Sequence, residues 1–346
     1  MSQIHTLEAL QKTLRLTPSE MAWHEDSSTV PLAITDHFLS LIDPDDPCDP
    51  LRAQVVPTAM ENSSRSWENI DPLAEVAHSI NPRLVHRYAN RVAFLVTDVC
   101  PMYCRHCFRR RFTGSLQGPA SEDEINQSAD YVGEHPEIRE ILLTGGDMLT
   151  LSNNAVEHLI GAFRSRRPDL MIRLCTRYLA SDPSRIDCDL INVLRKFNTA
   201  PIFIMTQFNH PRELCPESLR AIALFADAGF PLFNQSVLLH GVNDDPEVLA
   251  KLCENLLAAR VKPYYLFQGD LVSGTSHFRV PLERGIDIFR KLSQLVSGLA
   301  LPVYAIDLPN GMGKVNIGTS DPVLDEDHSR WTLKTPDGHV VSYPAE

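Results

Sequence analysis

Cys100, Cys104 and Cys107 stand on one short stretch, separated by three and then two residues. Thiolates at this spacing can converge on one metal centre from a single loop, and thiolate-rich sites suit soft metals, either zinc or iron–sulfur. A structural zinc site takes four protein ligands. No fourth cysteine follows nearby, which leaves His106 as the candidate to complete such a set. An iron–sulfur cubane held by three cysteines keeps one iron open, and an open iron can bind substrate. The other five cysteines, at positions 48, 175, 188, 215 and 253, are scattered. They read as small buried hydrophobes rather than as a disulfide framework.

Further polar residues gather where apolar runs end. The runs are Val92–Thr97, Glu140–Thr144, Met171–Thr176, Pro201–Thr206, Leu232–Leu238, Pro263–Phe267 and Pro302–Ile306. Amphipathic segments lie between them at Glu122–Val132, Ala155–Arg166, Pro216–Ala228 and Pro246–Ala259. Continuous β-branched runs alternating with helices predict parallel strands covered on both faces. The fold class is α/β, a partial or full parallel βα-barrel, with a doubly wound open sheet as the other arrangement. Either fold puts its chemistry at the carboxyl ends of the strands. The cysteines after Thr97, Gly145-Gly146-Asp147, Thr176-Arg177, Asn209-His210, Asp270 and Asp307 all fall there.

Residues 1–85 differ in composition. Amphipathic stretches at Ile4–Leu16 and Val30–Ile42 precede a Pro/Asp-rich segment over 43–50, which predicts a helical N-terminal region wrapped onto a main body at 86–320, with a short extension at 321–346. The chain has 346 residues, of which 43% are hydrophobic, enough for a sizeable core. Its 44 acidic and 32 basic residues give a net charge of −12, which argues against nucleic acid or an anionic membrane as partner. No apolar run approaches the roughly 20 residues of a membrane span, and the N-terminus lacks the pattern of a secretory signal. A cytoplasmic location is expected.

The cysteine spacing, its place after the first strand of the alternating series and Tyr103 before the second cysteine resemble the radical S-adenosylmethionine superfamily. The resemblance implies a [4Fe-4S] cluster on Cys100, Cys104 and Cys107, with S-adenosylmethionine on the open iron and an external electron donor. Gly145, Gly146 and Asp147 look like that family's glycine motif, whose backbone meets the cofactor's amino group, and His106 is counted with the cofactor contacts.

A narrower resemblance runs from about Ile42 to Lys314. His86-Arg-Tyr-Ala-Asn-Arg91, Phe208-Asn-His-Pro211, Asn234-Gln-Ser-Val-Leu-Leu239, Gln268-Gly-Asp-Leu271 and Asp307-Leu-Pro-Asn-Gly-Met-Gly-Lys314 are similar to the lysine 2,3-aminomutases. This implies pyridoxal 5'-phosphate as a further cofactor, attached to Lys314. A lysine on a glycine-rich loop has the freedom to reach an aldehyde, and a partly desolvated amine is neutral enough to attack it. Arg87 and Arg91 match arginines around the cofactor phosphate, and Gln235 a residue near its ring. Arg109 matches the arginine that pairs with the substrate carboxylate. Asp270 and Asp307 match two aspartates that receive the distant ammonium of lysine; such carboxylates repel unless a cation sits between them.

The implied reaction is migration of the α-amino group of lysine to give β-lysine, an isomerisation. Arginine 2,3-aminomutase and the β-lysine-forming enzyme of elongation factor P modification are the neighbouring alternatives. A non-catalytic iron–sulfur or zinc protein is the alternative of another class. Gln207 stands where the family has histidine, and Thr176–Arg185 departs from its usual Ser-Arg-Thr-Pro sequence. The chain stops soon after Lys314, without the family's long tail, so a homo-oligomer is left open.

Overall fold

The computed structural model describes residues 3–26, 29–318, 323–326, 330–334 and 339–344. The N-terminal region holds a two-stranded antiparallel pair, β1 (Gln3–Ile4) and β2 (Ile34–Thr35). Its helices are short: α1 (Leu7–Leu10), α2 (Pro18–Met21), α3 (Asp36–Ser40) and α4 (Pro50–Ala53). Within the amphipathic stretches at 4–16 and 30–42 the helices are the short α1 and α3. Thr17 caps α2 just past the first stretch, and Thr35 caps α3 inside the second.

The main body is one sheet in the order β12-β11-β10-β9-β8-β7-β6-β5-β4-β3. It starts with β3 (Ser79–Asn81) and β4 (Leu84–Tyr88), an antiparallel edge. Next come β5 (Arg91–Thr97), β6 (Glu140–Gly145), β7 (Met171–Thr176) and β8 (Ile202–Thr206). Then follow β9 (Leu232–Leu238), β10 (Val261–Gln268) and β11 (Val303–Asp307). These seven are parallel throughout, and the short β12 (Lys314–Asn316) runs antiparallel to β11. Among the described residues β12 and β3 share no ladder, so the barrel is partial.

Between the strands lie α5 (Glu122–Glu134), α6 (Asn153–Arg166), α7 (Tyr178–Ser181), α8 (Cys188–Arg195), α9 (Pro216–Asp227), α10 (Pro246–Ala258) and α11 (Leu282–Leu295). Their starts are written in the sequence: Ser121 and Glu124 form a capping box, Asp187 and Asp245 cap α8 and α10, and prolines open α9 and α10. Phe94, Leu143, Ile172 and Ile204 from the sheet pack with Val132, Leu159, Phe163, Leu190 and Phe225 from the helices in one buried core. Three antiparallel strands, β13 (Val323–Leu324), β14 (Arg330–Lys334) and β15 (Val340–Pro344), follow; the rest of 321–346 lies partly outside the described residues. Among the described residues no helix is long and apolar enough to cross a membrane.

Candidate active site

The strand ends open into a cavity of about 490 Å³. Its lining includes Cys100, Cys104, Cys107, Arg109, Asp270, Asp307 and Lys314, and also Arg87, Arg91, His106, Gly145, Gly146, Asp147 and Gln235. Every residue to which the family resemblance gives a role therefore meets in one place, from Arg87 to Lys314, whereas Asn209 and His210, also at a strand end, are not part of the lining.

The cysteine loop is held from outside by the N-terminal region. Arg105, fully buried, is forked onto Glu61 at 2.8 and 2.7 Å and donates to the carbonyls of Val30 and Pro31. Arg110 donates to the same carboxylate at 2.8 Å and reaches the Ser273 carbonyl at 2.9 Å. Buried ion pairs of this kind gain little net stability against desolvation, but breaking one strands an uncompensated charge. Here they fix the loop's path. Asp98 closes the far side by accepting the backbone N–H groups of Gln117 and Gly118.

All three thiols are free. Arg177 Nη1 lies 2.6 Å from Cys104 Sγ, a cation set directly against the cysteine loop. Burial pushes the Cys100 thiol well up, followed by Asp147 and the other two thiols; burial and then Cys104 push Cys107 up. Among the described residues no three His, Cys, Asp or Glu side chains are close enough to hold a single ion. Three cysteines lining one cavity suit the thiolate ligation of an iron–sulfur cluster. His106 does not complete a mononuclear set: its Nε2 faces the amides of Gln207 and Asn209 at 3.4 Å each, and its buried Nδ1 has no protein partner.

Gly145 has φ +114°, and a side chain on Gly146 would run into the Val99 carbonyl. Glycine is required there because the end of β6 passes directly against the cysteine loop, with Gly146 N–H donating to the Thr97 carbonyl at 2.5 Å. Asp147 is fully engaged with its own chain. Its carboxylate accepts from the Leu149 and Arg177 backbone N–H groups and the Thr176 hydroxyl at 3.0, 2.6 and 3.0 Å. Burial raises it to about 6 against those hydrogen bonds. The Asp147 carboxylate is thus committed to the protein's own donors.

Lys314 is not on a free loop. It opens β12, directly paired with Asp307 of β11, and the turn between them is tied down. Asn310 and Gly311 adopt φ of 59° and 72°, Leu308 N–H donates to Gly313 O at 2.8 Å, and Asn310 N–H to Pro72 O at 2.9 Å. The glycines serve left-handed backbone and close approach to Leu73 and His78 rather than mobility. Lys314 Nζ is 2.6 Å from Asp307 Oδ2 and 4.0 Å from the centre of the Phe267 ring. Burial lowers its pKa, only partly opposed by Asp307.

Arg87 Nη2 holds the other Asp307 oxygen at 2.8 Å and also reaches the Tyr88 hydroxyl. It thereby joins β4 to β11 across the open seam of the barrel. Arg91 stacks on the Tyr88 ring at 3.7 Å. Asp270 is raised to about 7 by burial first and by Asp307 second, with Lys314, Arg87 and Arg279 pulling the other way. Arg109 is bound by Glu75, a residue that sequence reasoning missed. Also missed were Arg173, Cys175, Tyr264 and Tyr265, all of which line the cavity. Arg173 and Cys175 could have been found from strand alternation, since both point from β7 to the side opposite buried Ile172 and Leu174. Glu75 carried no local signal.

A parallel sheet with three thiols and a glycine turn at its strand ends defines a class, and comparison with known proteins agrees with it. Residues 94–253 match the model of the radical SAM superfamily. The L-lysine 2,3-aminomutase of Clostridium subterminale is 40% identical over 99% of this chain and 82% of its own length. The glutamate 2,3-aminomutase of Clostridioides difficile is also 40% identical, over 100% of this chain and 81% of its own length. A putative L-lysine 2,3-aminomutase of Aquifex aeolicus is 38% identical over 99% and 92%. The chain belongs to the lysine 2,3-aminomutase family of the radical SAM superfamily, and it is an aminomutase, an isomerase acting on an amino acid. Membership of the superfamily brings a [4Fe-4S] cluster and S-adenosylmethionine with it.

Proposed function

We propose that this aminomutase converts L-lysine to β-lysine with pyridoxal 5'-phosphate attached to Lys314 and the cluster on Cys100, Cys104 and Cys107. The observation that carries the substrate is the acidic pair: Asp270 and Asp307 line the same cavity as Lys314 and the cysteines. A glutamate side chain would bring a third carboxylate to this pair, whereas an ammonium adds a cation to the Arg87 and Lys314 that already hold Asp307.

The lining residues fit the aldehyde cofactor. Lys314 offers a buried amine with a lowered pKa, aromatic faces at Tyr265 and Phe267 lie beside it, and Arg87 and Arg91 supply cationic donors for a phosphate. When bound, the reduced cluster with S-adenosylmethionine supplies a hydrogen-abstracting radical, and pyridoxal phosphate supplies a ring able to delocalise the migrating centre. The chain's own part is positioning and exclusion. Arg109 holds the α-carboxylate, Asp270 and Asp307 hold the far ammonium, and Lys314 provides the amine that exchanges with the substrate's. Fixing both ends of a flexible amino acid orients its β-carbon relative to the cysteine loop, which is where proximity contributes most.

Because Asp270 titrates near 7 among Asp307, Lys314, Arg87 and Arg279, its charge is pH-dependent in the working range. Its carboxyl is mostly protonated at pH 6 and mostly ionised at pH 8, and only the ionised form pairs with an ammonium. Lysine affinity measured calorimetrically on reductant-free enzyme is therefore expected to rise by up to about tenfold across that interval. Asp270→Asn should flatten the profile, and an unchanged slope in that variant would remove Asp270 from the cation site.

The deciding experiment is anaerobic product analysis. The reconstituted enzyme, with pyridoxal phosphate, S-adenosylmethionine and reductant, is offered lysine, arginine and glutamate separately. β-Lysine as the main product supports the proposal. β-Arginine would keep the chemistry and reassign the acidic pair to a guanidinium, and β-glutamate would overturn the role given to that pair.

A further inference from the structure

Arg109 is not alone at the place where a substrate carboxylate would arrive. Glu75, 6% exposed, sits in the segment before β3 and takes the side-on fork of the guanidinium, accepting from Nε at 2.9 Å and from Nη2 at 2.6 Å. Thr144, near the end of β6, accepts from Nη1 at 3.1 Å. Of the five N–H donors of an arginine, these contacts use one on Nε, one on Nη2 and one on Nη1. One N–H remains on each terminal nitrogen, and with Thr144 on the Cδ-side hydrogen of Nη1 these two form the end-on pair that matches a second carboxylate.

We propose that Glu75 is a positioning residue for substrate recognition: it locks the Arg109 guanidinium so that its end-on edge receives the α-carboxylate of the amino acid. The proposal rests on the reading that Arg109 binds that carboxylate, and it holds for any of the amino acids considered above. Three features support it. Arg109 comes from the cysteine loop, not from a strand, so the sheet does not orient its long side chain. Glu75 also accepts from Arg111 Nη2 at 3.2 Å, and Arg111 Nε contacts Asp71 at 3.3 Å, so the carboxylate is itself held. Burial pushes Glu75 up, but Arg109 and then Arg111 and Arg87 more than reverse this and leave its pKa below the ordinary value. It stays an acceptor only. Glutamine in its place would aim an N–H at one of the two arginine nitrogens, and one half of the fork would be lost.

The test uses the full chain with cluster, pyridoxal phosphate and S-adenosylmethionine but no reductant, so that binding is read without turnover. Lysine and cadaverine, which is lysine without its carboxylate, are titrated separately by calorimetry, with iron content measured alongside. Wild type is expected to prefer lysine. Glu75→Gln should weaken lysine by about tenfold, the worth of one charge-assisted hydrogen bond, and leave cadaverine unchanged. Glu75→Asp should fall between them. If Glu75→Gln fails to fold, Thr144→Val takes the same test with the same selective loss expected. Equal weakening of both ligands, or of neither, overturns the proposal. A wild-type enzyme indifferent to the carboxylate is a separate failure, visible without any variant, and it overturns the reading of Arg109 as well.

Discussion

Lys314→Ala is expected to lower product formation by more than about 10⁴-fold, the scale on which loss of a covalent catalytic group is felt, while iron content and S-adenosylmethionine binding stay at wild-type levels. The argument is geometric. Lys314 is the amine placed between Asp307 and the faces of Phe267 and Tyr265, with a pKa lowered by burial. Lys314→Arg should be equally inactive, because it restores a cation beside Asp307 without a nucleophilic amine. Borohydride reduction followed by peptide mass analysis gives an independent readout: wild type should carry pyridoxal phosphate at Lys314, and both variants should carry none. A variant that still turns over would end the assignment.

Cys104→Ala should abolish activity by a different route. The reconstituted variant is expected to lack the brown colour and iron content of a [4Fe-4S] protein, and to leave S-adenosylmethionine uncleaved in the presence of dithionite. Cys175 is the control. It lines the same cavity, but its thiol is pushed up to about 12, chiefly by burial, and it comes from β7 rather than the cysteine loop. Cys175→Ala should retain iron and colour. Loss of the cluster in Cys175→Ala, or retention in Cys104→Ala, would redraw the ligand set.

Much of the sheet was legible in the sequence because parallel strands buried on both faces leave continuous apolar runs. Met171–Thr176 and Leu232–Leu238 are found with the bounds expected, and Glu140–Thr144 differs by one residue. Helices that begin at strong caps were also legible, as at Glu122 and Pro246. The antiparallel edge formed by β3 and β4 was not, because a half-exposed strand of five residues containing His86 and Arg87 lacks such a run. α11 went unnamed although its apolar spacing, Ile288, Phe289 and Leu292 on the buried side, was available. At the site, residue type and spacing pointed to the cysteines and to Lys314. The strand position of Lys314 is set by its pairing with Asp307 and by contacts to residues 72–78, and the partnership of Glu75 with Arg109 spans 34 positions. Contacts between distant segments leave no periodic trace in either segment alone.

The ties that surround the cysteine loop also set a timetable for maturation. Arg110 reaches a carbonyl 163 positions further along the chain, and Gln54, whose carbonyl receives the Arg105 N–H, is joined through its side chain to Glu213, 159 positions away. A chain emerging from the ribosome exposes its three thiols long before those partners exist, and domains close as units once their last elements arrive. The thiols are therefore made well before the contacts that enclose their loop can form, which needs the chain to have reached at least Ser273.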